Sequence, residues 1–172
     1  MRDLRAQVAA WRGRRLWILG VGNEERGDDG FGVRLARELR AGLPNVRTVD
    51  AGTSPERWVG VAVESGCQEL VFADAVDFGG APGELLLAGT ADLRARPLGT
   101  STHRVPLALL AQYAEGLGAR AWLLGVQPGS LEHGTALSPP VAGTLEALVR
   151  ILGQALGRDG AGAPAIFDGV VS

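Results

Sequence analysis

Strand-like runs, most of them apolar, at Leu16–Gly20, Val46–Asp50, Glu69–Asp74, Glu84–Ala88 and Ala121–Val126 alternate with helical patterning at Gly30–Ala41, Pro55–Glu64, Val105–Glu115 and Pro140–Leu156. Strands that are apolar throughout need cover on both faces, and intervening helices supply it, so the alternation restricts the chain to an α/β architecture. The expected fold is a three-layer α/β/α sandwich around a mostly parallel, mixed, twisted sheet of about five strands. Gly42, Gly66 and Gly116 follow three of the helical stretches at the place of a helix C-cap. Ala81-Pro82-Gly83 reads as a turn between two apolar runs, which predicts that the fourth strand is antiparallel at an edge.

A chain of 172 residues fits one domain with a core of its own. Residues 16–156 carry the fold. The Arg-rich stretch 1–15 reads as a solvated helical arm, and residues 157–172 have the Gly, Ala and Pro character of a loose tail. The arm lacks the continuous apolar segment of a secretory signal, and no run of the chain reaches the length of a membrane span. A net charge of -2 without a basic stripe argues against nucleic-acid binding. All 17 Lys-plus-Arg positions are Arg, which excludes Schiff-base lysines and Ser-Lys dyads. The single cysteine, Cys67, excludes an internal disulfide and fits a reducing cytoplasm.

The turn from the first strand into the first long helical stretch, Gly20 to Gly32, reads GVGNEERGDDGFG. Glycine-rich strand-to-helix turns commonly cradle phosphate. Gly22 and Gly27 have P-loop spacing, but Asp28 and Asp29 stand where Lys and Ser/Thr belong, and Glu25 replaces the third glycine of a dinucleotide fingerprint. Two carboxylates would repel an anion, so a cation or an electropositive group is the better match. Asp28 sits at an N-cap position and is assigned to capping. The loop alone leaves Asp29 open between a functional carboxylate and an ordinary helix residue.

Ligands of open α/β sheets bind beyond the carboxyl ends of the strands. If the first three strands are parallel, Asp29, Asp50 and Asp74 share that edge. The two histidines are His103, where a Thr-Ser loop runs into a helix, and His133. One imidazole with two carboxylates suits a borderline divalent ion such as nickel or zinc better than calcium or magnesium. Asp29, Asp74 and His103 lie too far apart in sequence to form a local motif.

Five blocks of the chain together resemble the hydrogenase maturation endopeptidases. They are residues 20–32, DAGTSPE at 50–56, FADAVDFGGAPGEL at 72–85, STHRVPL at 101–107 and LLGVQPGSLEHGTALSPPV at 123–141, and the resemblance runs from about residue 16 to 155. It implies a peptidase that removes the carboxyl-terminal extension of a nickel-iron hydrogenase large-subunit precursor once nickel is inserted. The family's metal-contacting, catalytic residues fall on Asp29, Asp74 and His103, with the nickel supplied by the substrate. The precursor is the implied partner and the chain is expected to act as a monomer. Ala51 departs from the more usual Asp-Gly-Gly of the second block, and the Arg-rich arm lies outside the family core.

Within that reading, the Gly22 and Asn23 backbone N–H groups are expected to form an oxyanion-type donor pair. Gly-x-Ser-x-Gly is absent, Ser101 shows no sign of activation, and Cys67 is expected at the rim opposite Asp74 as a buried structural thiol. Two other classes are compatible with parts of the sequence: a nickel checkpoint that binds loaded precursor without cutting it, and a Rossmann-type phosphate binder at the Gly20 loop.

Overall fold

A computed structural model of the chain describes residues 3–39, 42–95 and 106–157. The elements follow in the order α1 (Leu4–Trp11), β1 (Leu16–Val21), a 3-10 turn (Gly27–Gly30), α2 (Phe31–Glu38), β2 (Val46–Gly52), α3 (Glu56–Glu64), β3 (Glu69–Ala75), β4 (Leu85–Gly89), α4 (Thr90–Ala95), α5 (Leu107–Gly116), β5 (Arg120–Val126) and α6 (Pro139–Leu156). The sheet order is β2-β1-β3-β5-β4. Contacts β2-β1, β1-β3 and β3-β5 are parallel, and β4 runs antiparallel to β5 at the edge. No helix separates β3 from β4, and without such a crossover a parallel return is closed to the chain. The expected turn precedes β4: Glu84 N–H donates to the Ala81 carbonyl and Gly83 takes φ +85°, the type II pattern with Pro at the second position.

Period-two alternation distributes each central strand between two cores. Leu16, Ile18, Val71, Ala73, Trp122, Leu124 and Val126 pack on one face with α1, α2 and α6. Trp17, Leu19, Val21, Leu70, Phe72, Ala121 and Leu123 pack on the other with α3, α4 and α5. The result is the three-layer α/β/α sandwich, with β1 buried along its whole length and edge strand β2 only partly covered.

Local details depart from the expectations. The amino-terminal segment is helical but not solvated all round: Leu4, Val8 and Trp11 recur at helical spacing, and Val8 and Trp11 are buried in the core shared with α6. The Trp11 ring meets Trp122 edge-on, with centroids 6.1 Å apart. At the end of α3, Gly66 adopts φ +83° and closes a Schellman motif, with Cys67 N–H on the Ala62 carbonyl and Gly66 N–H on that of Val63. For α5 the same motif is made by Gly118 at φ +99°, while Gly116 is the last helical residue. α2 ends at Glu38, short of the expected Ala41, and the 3-10 turn and α4 are elements the apolar pattern did not reveal. Residues 158–172, nearly all of the expected tail, lie outside the described residues.

Candidate active site

Parallel pairing sets Gly20 beside both Asp50 and Ala73, and Asp74 beside Gly125, so the carboxyl ends of β2, β1, β3 and β5 form one rim. The chain leaves β1 through Gly22 at φ +131° and returns to the rim in the 3-10 turn, which packs against β3. A Cβ on Gly22 would lie 1.7 Å from the Asp29 carbonyl oxygen, so only glycine allows this approach. Asp29 is buried and its Oδ2 accepts a hydrogen bond from Asn23 N–H at 2.8 Å. Asp74 is buried at the end of β3 on the face covered by α3, α4 and α5, and its Oδ1 accepts from Ala75 N–H at 2.9 Å. Burying a carboxylate costs several kcal/mol, about 2–7 for even a neutral polar group left unbonded, so two of them on one rim are not incidental to packing.

His103 and Ser101 lie outside the described residues; the chain enters α5 at Leu107, four positions beyond His103. Among the described residues no three His, Cys, Asp or Glu side chains form a group that could hold a metal ion. Asp50 shares the rim through its backbone only. Its carboxylate turns outward and accepts from Arg37 Nε and Nη2 at 3.1 and 2.7 Å, while Arg37 Nη1 reaches Glu24. These groups border an open cleft of about 370 Å³, lined by Gly22, Asn23, Glu24, Asp50, Gly52 and Thr53 among others.

Asp28 does not cap the helix that follows it. The 3-10 turn has no side-chain cap, and the Asp28 carboxylate points across the rim to the start of α6. It accepts hydrogen bonds from Gly129 N–H (2.7 Å), Ser130 N–H (2.9 Å), Ser138 N–H (2.6 Å) and Ser138 Oγ (2.7 Å). Burial pushes this carboxyl up, but the bonds from Ser130, Ser138 and Gly129 outweigh it and hold Asp28 below the usual carboxylate range.

A family model described as hydrogenase maturation protease matches residues 33–155. The chain belongs to the hydrogenase maturation protease family. Hydrogenase 3 maturation protease of Escherichia coli K12 is 31% identical over 137 residues, 78% of this chain and 86% of that one. The hydrogenase expression/formation protein HupD of Rhodobacter capsulatus is 35% identical over 149 residues, 81% and 70% of the two chains. Among solved structures, the NiFe hydrogenase maturation protease HycI of Thermococcus kodakarensis aligns with a TM-score of 0.78 at 33% identity, covering 88% of this chain and 98% of that one. The hydrogenase maturating endopeptidase HybD of E. coli aligns at 0.67 and 29%, covering 83% and 91%.

As a hydrogenase maturation protease, the chain departs from one expectation about its chemistry. The Gly22 and Asn23 N–H groups are not an oxyanion pair: Gly22 N–H is bound to the Gly52 carbonyl at 2.9 Å and Asn23 N–H to Asp29. The first donor ties the chain leaving β1 to the end of β2, and the second serves the turn itself. Cys67 lies, as expected, before the amino end of β3, at the rim opposite Asp74. Its buried thiol donates to the Glu69 carbonyl and is pushed up to about 12, chiefly by burial. Sequence reasoning missed the Asp28 partners and also Gln127. The Gln127 amide oxygen accepts from Phe78 and Gly80 N–H and its nitrogen donates to Asp77, tying the loop after Asp74 to the end of β5. Only its place just past a strand end could have pointed to it.

Proposed function

We propose that this protease removes the carboxyl-terminal extension of a nickel-iron hydrogenase large-subunit precursor after nickel insertion, reading the nickel that the precursor carries. Asp29, Asp74 and His103 are the residues assigned to the ion, as metal contacts and as the catalytic set. One observation carries the reading: two carboxylates from separate elements, Asp29 in the 3-10 turn and Asp74 at the end of β3, are both buried on the rim where the fold places ligands. Two carboxylate oxygens and an imidazole suit a borderline divalent ion with open positions. A substrate-held ion supplies polarisation of the scissile carbonyl or of a water. The chain's part is to hold its carboxylates in place before the precursor arrives. The Asn23 N–H orients Asp29, and Ala75 N–H does the same for Asp74. The single cysteine, Cys67, is a free buried thiol, which fits action in a reducing cytoplasm.

The test is incubation of the purified protein with one cognate precursor, nickel-loaded and nickel-free, read by mass spectrometry and repeated with Asp29→Ala, Asp74→Ala and His103→Ala. The expected result is loss of the tail mass from loaded precursor alone, abolished in each variant. Equal cutting of nickel-free precursor overturns the nickel-reading step. A stable complex without cleavage would instead identify a checkpoint module.

A further inference from the structure

The segment after β5 is fastened to the 3-10 turn along its length. Gly27 N–H donates to the Gly134 carbonyl, Gly134 N–H to the Glu25 carbonyl, and Asp28 N–H to the Ser130 carbonyl at 3.0 Å. Residues 26 and 134 form an isolated parallel bridge. Space is equally tight: a Cβ on Gly27 would lie 2.9 Å from the Ser130 carbonyl oxygen, and one on Gly129 would lie 3.0 Å from Ser138 Oγ. At the centre is the Asp28 carboxylate with its four donors, beneath the amino terminus of α6, whose dipole also favours a negative charge there. Every one of those donors is more than a hundred positions away in sequence. The next residue is Asp29, whose carbonyl is pressed on Gly22 and whose carboxylate takes the Asn23 N–H.

We propose that Asp28 is a positioning residue for the cleavage reaction: it clamps the 129–138 segment and the start of α6 onto the 3-10 turn and thereby fixes where Asp29 presents its carboxylate. The proposal rests on the assignment of Asp29 to the reaction. A turn of four residues has too few internal bonds to hold a side chain rigidly, so the restraint has to come from outside it. Misplacement of a reacting group by about 1 Å from a remote change is enough to lower turnover on the order of 100-fold.

The experiment compares wild type, Asp28→Asn and Ser138→Ala, each as the full chain, by amide hydrogen exchange and by steady-state cleavage of nickel-loaded precursor. Asp28→Asn keeps the shape but loses the charge that attracts all four donors; Ser138→Ala removes only the hydroxyl. Loosening the clamp is expected to speed exchange at the Asn23 amide on the order of tenfold. It is expected to lower kcat on the order of 10- to 100-fold in Asp28→Asn, less in Ser138→Ala, with KM nearly unchanged. Exchange at β3 amides such as Val71 should stay at the wild-type rate. A folded Asp28→Asn protein with wild-type Asn23 exchange and kcat overturns the proposal, as does Asn23 exchange that rises only in step with β3. Should Asp28→Asn fail to fold, Ser138→Ala decides by the same two readings. Wild type that does not cut the precursor would sink the assigned function, while the Asn23 exchange would still decide whether the clamp holds Asp29.

Discussion

Gly20, at the carboxyl end of β1, and Gly32, in the first turn of α2, touch so closely that a Cβ on Gly20 would lie 2.3 Å from the Gly32 carbonyl oxygen. A Cβ on Gly32 would in turn stand 1.9 Å from the Ala73 carbonyl and 2.5 Å from that of Val21. The pair lets α2 settle on β1 and β3 directly behind the rim that carries Asp29 and Asp74.

Gly32→Ala is therefore expected to destabilise the fold by about 3 kcal/mol, at the upper end of overpacking effects, because backbone rather than a movable side chain must give way. Gly143→Ala, in α6 with nothing within 4 Å of the added carbon, is expected to stabilise by about 0.5–1 kcal/mol. Urea unfolding of both variants measures the contrast; equal effects would refute the packing account.

Removing the Asp28 charge weakens four part-buried hydrogen bonds and turns an amide NH2 toward at least one of their donors, and Asp28→Asn is expected to cost about 2–4 kcal/mol at neutral pH. The folded-state carboxyl is held below its unfolded value of about 3.9, so the unfolded chain binds the proton first as pH falls. Its contribution is complete above that value and disappears as pH drops through the lower folded one. The gap between wild type and Asp28→Asn should accordingly narrow only below about pH 4, in unfolding curves taken across acid pH.

Cys67 titrates the other way. Its neutral thiol is favoured in the fold, with a value of about 12, so the unfolded chain loses the proton first and stability from this group falls as pH rises above about 8.5. Native protein at pH 8 should resist iodoacetamide until denatured, and Cys67→Ser should retain cleavage. Abolished cleavage in a folded Cys67→Ser protein would reinstate the thiol as a nucleophile.

Glu69 is buried at the amino end of β3, where Oε2 accepts from Trp122 Nε1 at 2.7 Å and Oε1 faces Arg14 and Arg120 at 3.5 and 3.8 Å. Glu69→Ala leaves that indole N–H without its acceptor and should cost about 1–3 kcal/mol, with a shift in tryptophan fluorescence. Asp74 lies five positions further along the strand, about 17 Å away, so kcat should not change; a large fall in kcat would contradict that separation.

Much of this was legible locally. Pro82 and Gly83 announced the type II turn and the antiparallel edge strand, and Asp74 could be placed at a strand end because the apolar run stops there. Cys67 could be placed at the far rim by the same reasoning. The docking of α1 was available in the spacing of Leu4, Val8 and Trp11, and was obscured by Arg5 among them and by Arg12, Arg14 and Arg15 just after them. The choice of Gly118 over Gly116 as the positive-φ residue depended on where α5 ran out of buried side chains, with Ala114 the last of them inside the helix.

Element order, the two-sided burial of β1 and β3 and the sign of the glycine-rich turn belong to the sequence by itself, because periodicity, turn chemistry and charge act over a few neighbouring residues. The partners of Asp28, the outward turn of Asp50 toward Arg37 and the engagement of Gly22 and Asn23 N–H were decided by tertiary structure alone. Hydrogen bonds at the rim are shared among strand ends and loops up to 110 residues apart, and no local pattern records which buried donor meets which acceptor until the sheet has brought them together.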